Sequence, residues 1–277
     1  MKLMSYTVAD GHASWGVVDG DHVVDLSSRA PTLRDALGQL PGIATDTAGL
    51  PRHAIANVHF LPPIPLPDKI ICIGLNYMTH IKEGGREPPK HPMIFNRFAN
   101  SQVGHGEPMI RPHASKTLDF EGELAVIISK PCRHVKQADW KSVVAGYSCY
   151  NDGSVREFQR HSSQFGPGKN FPATGGFGPY LVTPDEAGDV VTASLVTRLN
   201  GEEVQRATVD DLVFDIPRLI EYCSTFTELA PGDVIVTGTT GGVGAYREPP
   251  LWMKPGDVVE VEVTGVGVLR NTIAQEA

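Results

Sequence analysis

The chain has 277 residues, 41% hydrophobic and 20% charged, an ordinary globular composition with room for one large domain or one domain plus a small appendage. Lys and Arg number 24 against 32 Asp and Glu, a formal net charge of −8 without basic runs, which argues against nucleic acid and anionic membranes as partners. No apolar run reaches transmembrane length, the N-terminus lacks a signal-peptide core, and four scattered cysteines without a CxxC pair fit a reducing, cytoplasmic setting.

The first 66 residues read as a small β-rich unit. Residues 14–18 and 22–26 flank Asp19-Gly20, a hairpin signal, and Thr32 is placed to cap a short helix through Leu33 and Leu37. The run Pro62-Pro63-Ile64-Pro65-Leu66-Pro67 suits neither helix nor central strand, so it marks a boundary between units over 1–66 and 67–277. Residues 69–73 read as a buried strand. Asn76 is placed to cap a helix through Tyr77, His80, Ile81 and Glu83, and the Gly- and Pro-rich stretch 84–92 ends it, as a lid or as a plain surface loop. Strands are expected over 119–128, 143–150, 178–182 and 196–199, the last turning at Asn200-Gly201. Residues 214–226 have helical spacing, with Pro217 tolerated in the first turn. Residues 233–236 and 257–263 are strands that each open on a Pro-Gly-Asp turn. The sum is an α+β chain, mostly β.

The stretch 119–128 carries the strongest chemical signal. Alternation along a strand puts Glu121 and Glu123 on the face that continues to Ala125 and Ile127. Two carboxylates sharing a buried face repel each other and lose water, which a hard divalent cation would relieve. On these two residues alone, a pair of solvated acids at an exposed strand end is an equally good account. Asp152, at the end of the 143–150 strand, is a third carboxylate if that strand neighbours the first, and otherwise a turn former. No His-x-His, His-Glu-x-x-His or cysteine cluster supports a softer metal. His80 and Glu83, three apart on a helix, can touch, and a carboxylate beside an imidazole makes a general base; the plain alternative is a solvated helix face. Lys169 lies in Gly166-Pro167-Gly168-Lys169-Asn170, which is not a phosphate loop. The 237–244 run is rich in glycine and can offer backbone N–H groups to an oxyanion or carboxylate, or simply cross between strands.

Together these segments resemble the fumarylacetoacetate hydrolase family over about residues 69–273. The pieces that carry the resemblance, in order, are Gly74-Leu75-Asn76-Tyr77 with His80 and Glu83; Leu118-Asp119-Phe120-Glu121-Gly122-Glu123-Leu124; Gly146-Tyr147 through Asn151-Asp152; Arg156 to Gln159; Lys169-Asn170-Phe171; and Pro231-Gly232-Asp233-Val234 through Thr239. The resemblance implies a mixed β-sandwich roll behind a small N-terminal β-rich domain. It implies a divalent metal, Mg2+ with Mn2+ or Ca2+ as alternatives, at Glu121, Glu123 and Asp152. It implies a catalytic set of His80, Glu83 and Lys169, a substrate pocket lined by Arg156, Gln159 and Thr239, and a homodimer. The activity it implies is hydrolysis of a C–C bond in a small 1,3-dicarbonyl acid of acylpyruvate type, as in catabolism of aromatic compounds. Decarboxylation or tautomerisation of a β-keto acid such as oxaloacetate is the alternative within the fold, and metabolite binding without turnover is the alternative outside enzymes. The chain departs from the common pattern at Phe95-Asn96-Arg97-Phe98, where many relatives carry Phe-x-Lys-Pro, at Thr240, and at Pro172-Ala173-Thr174-Gly175-Gly176. These differences bear on the choice of substrate more than on the metal.

Overall fold

The computed structural model describes residues 1–40 and 42–277. Strand is the largest class of regular structure, arranged as expected for a mixed sandwich roll. A twelve-stranded sheet runs, in spatial order, Arg52–Ala54, His22–Asp25, Ala13–Asp19, Lys2–Thr7, Gly175–Val182, Val144–Asn151, Gly122–Ile128, Val234–Val236, Ile70–Gly74 and Met93–Arg97, with two short strands paired off this path. A five-stranded sheet is built from Glu202–Thr208, Ser194–Leu199, Val258–Val263, Gly267–Gln275 and Met109–Arg111.

The Gly122–Ile128 strand lies near the middle of the large sheet and is buried along its whole length. Its alternation feeds two cores. Leu124, Val126 and Ile128 pack with Leu195, Val261 and Val263 of the small sheet and with Ile216, Leu219 and Ile220 of the Ile216–Phe226 helix. Ala125 and Ile127 pack on the other side with Ile70, Cys72, Val234 and Val236 and with Leu3, Trp15, Leu26 and Leu33 of the N-terminal segment. That segment enters the large sheet through Lys2↔Val182 and Leu3↔Leu181, so residues before and after the proline run share one sheet and one core.

Local signals account for several elements. Asp19 and His22 pair at the tip of the first hairpin, and Thr32 accepts from the Asp35 N–H at the start of Leu33–Ala36. The two Pro-Gly-Asp turns are closed alike: Asp233 accepts from the Ala230 N–H at 2.7 Å and Asp257 from the Lys254 N–H at 2.7 Å.

Two expectations are corrected. Asn76 does not cap the Met78–Glu83 helix. Its fully buried side chain donates to the carbonyls of Phe214 and Thr237 and accepts from the Phe214 N–H, tying together three distant segments. The 119–128 stretch is also not one strand, because Leu118–Asp119 pairs with Ser154–Val155 and the ladder restarts at Gly122. The break is stable because side chains take the freed N–H groups: Asp119 accepts from Phe120, Asn151 from Glu121, and Gln205 from Gly122.

Candidate active site

The sheet register brings the acids together. Gly122 lies opposite Asn151 and Glu123 opposite Tyr150, so Asp152 follows directly beside Glu121 and its N–H donates to the Glu121 carbonyl at 2.8 Å. Glu121, Glu123 and Asp152 are all buried, and each presents an oxygen within 4.8 Å of the others. Glycine separates the two glutamates because a Cβ at residue 122 would lie 2.0 Å from Thr197 Oγ1.

Three buried cations answer these acids. Lys169 Nζ donates to Glu121 Oε2 at 2.6 Å, to Asp152 Oδ2 at 2.5 Å and to the Asp152 carbonyl at 3.3 Å, which uses all three of its N–H groups. It also lies 5.0 Å from the centre of the Phe95 ring. Arg156 Nη1 pairs with Glu121 Oε1 at 2.6 Å, and its Nε donates to Asp119 Oδ2 at 2.8 Å. Arg97 Nη1 donates to Asp152 Oδ1 at 2.7 Å. The other Arg97 N–H groups go to Ser101 Oγ, the Ser101 and Gly153 carbonyls and Thr174 Oγ1, so all five are matched.

Four buried carboxylates, Asp119, Glu121, Glu123 and Asp152, thus face three cations. The shortfall falls on Glu123. It touches no cation, and its one close partner is the Gly238 N–H at 2.5 Å on Oε2. Burial, and then repulsion from Asp152 and Glu121, pushes its carboxyl well above the usual range. Burial acts on Glu121 too, but Arg156 and Lys169 outweigh it and hold that carboxyl at about 2. The donor set is all hard oxygen, a carboxylate oxygen has lone pairs for a cation on either side, and one positive charge is missing. These residues fit a divalent cation of the Mg2+ or Mn2+ kind.

The glycine-rich 237–244 run delivers its N–H groups to carboxylates of the chain itself. Gly238 donates to Glu123, Gly242 to Glu83 at 3.0 and 3.1 Å, and Gly244 to Asp119 at 2.8 Å. Gly238 and Gly242 adopt φ of 111° and 96°, a backbone that side chains disfavour. Glu83 in turn meets His80 Nδ1 at 3.4 Å, and Nε2 of that buried imidazole is unengaged among the described residues. The Tyr246 ring centre is 5.8 Å from that of His80.

Much of this borders one cavity of about 450 Å3. Its wall includes His80, Glu121, Glu123, Arg156, Gln159, Lys169, Thr239 and Tyr246. Every site residue expected from the sequence is therefore in this cavity or one bond from it, Glu83 and Asp152 being behind the wall. Arg156 Nη2 is buried without a hydrogen-bond partner among the described residues, a spare donor at the cavity. Gln159 accepts from Arg156 Nη1 at 2.9 Å, and the Thr239 hydroxyl is engaged, donating to the Gly122 carbonyl and accepting from Gln205. Sequence reasoning missed Asp119 and Arg97 as members of the cluster. Asp119 was within the quoted acidic motif, but only its distant partners reveal its work: it binds Arg156 and the N–H groups of Gly244 and Ala245.

Residues 69–274 match the family described as fumarylacetoacetate (FAA) hydrolase C-terminal. Human mitochondrial oxaloacetate tautomerase FAHD2A is 38% identical over 266 residues, covering 92% of this chain and 85% of the relative. Among solved structures, fumarylacetoacetate hydrolase from Exiguobacterium antarcticum superposes with a TM-score of 0.89 at 33% identity. Maleylpyruvate hydrolase from Sphingobium sp. SYK-6, in complex with manganese(II) ion and pyruvate, does so with a TM-score of 0.82 at 30% identity. Both cover 100% of each chain. With a family model matching residues 69–274 and a relative 38% identical over 92% of its length, this chain belongs to the fumarylacetoacetate hydrolase family.

Proposed function

We propose that this protein is a metal-dependent enzyme that moves a proton on a small 2-oxo acid carrying a second carbonyl in the 1,3 relation. The observation that carries the reading is that His80, oriented by Glu83, shares one cavity with the three-carboxylate cluster. Glu121, Glu123 and Asp152 would hold the cation, which supplies Lewis-acid polarisation of the 2-oxo group when bound. Glu83 accepts from Nδ1–H of His80, so the unengaged Nε2 serves as the base that takes a proton from the carbon between the carbonyls and returns it to oxygen or carbon. Arg156, through its spare Nη2, binds the acid's carboxylate, with Gln159 and Thr239 beside it. Lys169 has no N–H to spare, so it acts by holding Glu121 and Asp152 and by adding fixed positive charge where negative charge develops.

Keto–enol interconversion of an oxaloacetate-type acid is the first reading of this chemistry. It is supported by the 38% identity to an oxaloacetate tautomerase over 92% of the chain, a closer likeness than the 30% identity to maleylpyruvate hydrolase. Hydrolytic C–C cleavage is the second reading. It is favoured by the likeness to that hydrolase and by a base that could equally activate water. Mg2+ or Mn2+ as the cation, a homodimer as the working form and the cytoplasm as its place complete the proposal.

Enol decay of oxaloacetate, followed by ultraviolet absorbance with the protein plus Mg2+ or plus EDTA, tests the first reading. Product analysis in 18O-labelled water tests the second, because only hydrolysis places label in a product carboxylate. His80→Ala should slow whichever reaction is found by about 10²–10⁴-fold while leaving metal binding intact. Full activity in that variant, or after thorough metal removal, would sink the mechanism.

A further inference from the structure

The cavity has two chemically distinct parts. Around the acidic cluster each cation is paired, Lys169 with Glu121 and Asp152 and Arg156 with Glu121 and Asp119, leaving Nη2 of Arg156 as the spare donor. Two more arginines line the same cavity, Arg86 from the segment after the Met78–Glu83 helix and Arg160 at the end of Arg156–Gln159. Neither forms an ion pair or a side-chain hydrogen bond among the described residues. In the same wall the Tyr246 hydroxyl also lacks a protein hydrogen-bond partner among the described residues, and Gly84 leaves room for it: a Cβ there would lie 3.2 Å from that oxygen. The only acids of the wall are Glu121 and Glu123 of the cluster. In a chain with eight more acids than bases, a cavity whose uncommitted charges are both positive runs against the background. Met93, Phe95 and Phe165 add apolar wall to the same cavity.

We infer that the ligand is a dicarboxylate: its 2-oxo acid end faces the acidic cluster, and its second carboxylate is held by Arg86 and Arg160, with the Tyr246 hydroxyl as a further donor. Guanidinium groups match a carboxylate in shape and charge, and such charge-assisted bonds outweigh neutral ones. This assigns specificity to residues outside the motifs that carry the family resemblance and rests on the proposed function for the identity of the 2-oxo acid end. It distinguishes a four-carbon diacid from an acylpyruvate whose far end is a methyl or longer alkyl group, which would leave both arginines without an acceptor.

The test uses two matched pairs. Malate and lactate do not react by the proposed chemistry and differ in one carboxylate. Calorimetric titration of the Mg2+-loaded protein should show malate bound at least about tenfold more tightly than lactate, and Arg86→Gln/Arg160→Gln should erase that advantage while leaving the affinity for oxalate unchanged. In turnover, the same double variant should raise KM for oxaloacetate about tenfold and leave the constants for 2,4-dioxopentanoate alone. Equal binding of malate and lactate by the unaltered protein, or a malate preference that survives the double variant, overturns the inference. A malate preference that depends on the arginines, with no turnover of either oxo acid, upholds the subsite and overturns the proposed function instead.

Discussion

Glu123 concentrates the tension between stability and function in a single side chain. It is buried, has one N–H partner, and is repelled by two neighbouring carboxylates. Glu123→Gln removes the unmatched charge but keeps the shape, so the metal-free variant should unfold at a higher temperature than the unaltered protein. The same change should abolish the stabilisation by Mn2+, which for a site at roughly 100 times Kd amounts to about 2.7 kcal/mol. Scanning calorimetry with EDTA and with Mn2+ reads both effects, and a variant that keeps the metal-induced shift would remove Glu123 from the ligand set. The acids of this cluster were legible in the sequence because Glu121 and Glu123 lie two apart at the start of one apolar strand and Asp152 follows the end of the next. Arg97 was not, because its role comes from Asp152, 55 residues away, and from Thr174, 77 residues away. At the sequence level it read only as a departure from a lysine-containing motif. In the structure it holds a candidate metal ligand in place with a side chain that has no spare donor.

Among elements, the loop that carries Tyr246 shows how a buried acid can set the shape of a cavity. Asp119 accepts from Gly244 and Ala245 at 2.8 and 2.9 Å and from Arg156 at 2.8 Å, joining this loop to the side chain that also pairs with Glu121. Asp119→Ala would leave Arg156 buried with one of its two carboxylates, at a cost of about 3–5 kcal/mol in urea unfolding at neutral pH. Hairpins and strands were readable from turn residues and alternation, as at Asn200-Gly201. The Asn76 side chain was misread as a cap because its partners lie 138 and 161 residues downstream. The first hairpin carries a pH signature of its own. Asp25 accepts from Tyr6, Ser14 and Ser27, and although burial opposes it, these bonds hold its carboxyl below the ordinary 3.8. A carboxyl with a depressed folded value stabilises the fold above the unfolded value and loses that contribution as pH falls through the folded one. The stability difference between the unaltered protein and Asp25→Asn should therefore be constant from pH 7 to about pH 5 and shrink below about pH 4. A difference that grows on acidification would contradict this account.

Across the whole molecule, the N-terminal segment and the remainder share a sheet and a core, which the sequence did not disclose because the joining pairs are Lys2↔Val182 and Leu3↔Leu181. Trp15 lies in that shared core, 1% exposed, with its indole N–H on the Ala30 carbonyl at 2.8 Å. Trp15→Ala should cost about 3–5 kcal/mol and lower the midpoint of loss of activity together with that of the bulk fold. Two separate transitions in denaturant would show instead that the N-terminal segment unfolds by itself.

The charge shortfall in the cavity also dictates an order of events. With all four acids ionised against three bases the inner site is net negative, and an oxo acid approaching it is repelled. A divalent cation reverses the sign to net positive, and the same cavity then attracts what it had excluded. Loading should therefore be sequential, cation before acid, with oxalate showing no measurable affinity in EDTA and the cation leaving more slowly once oxalate is bound.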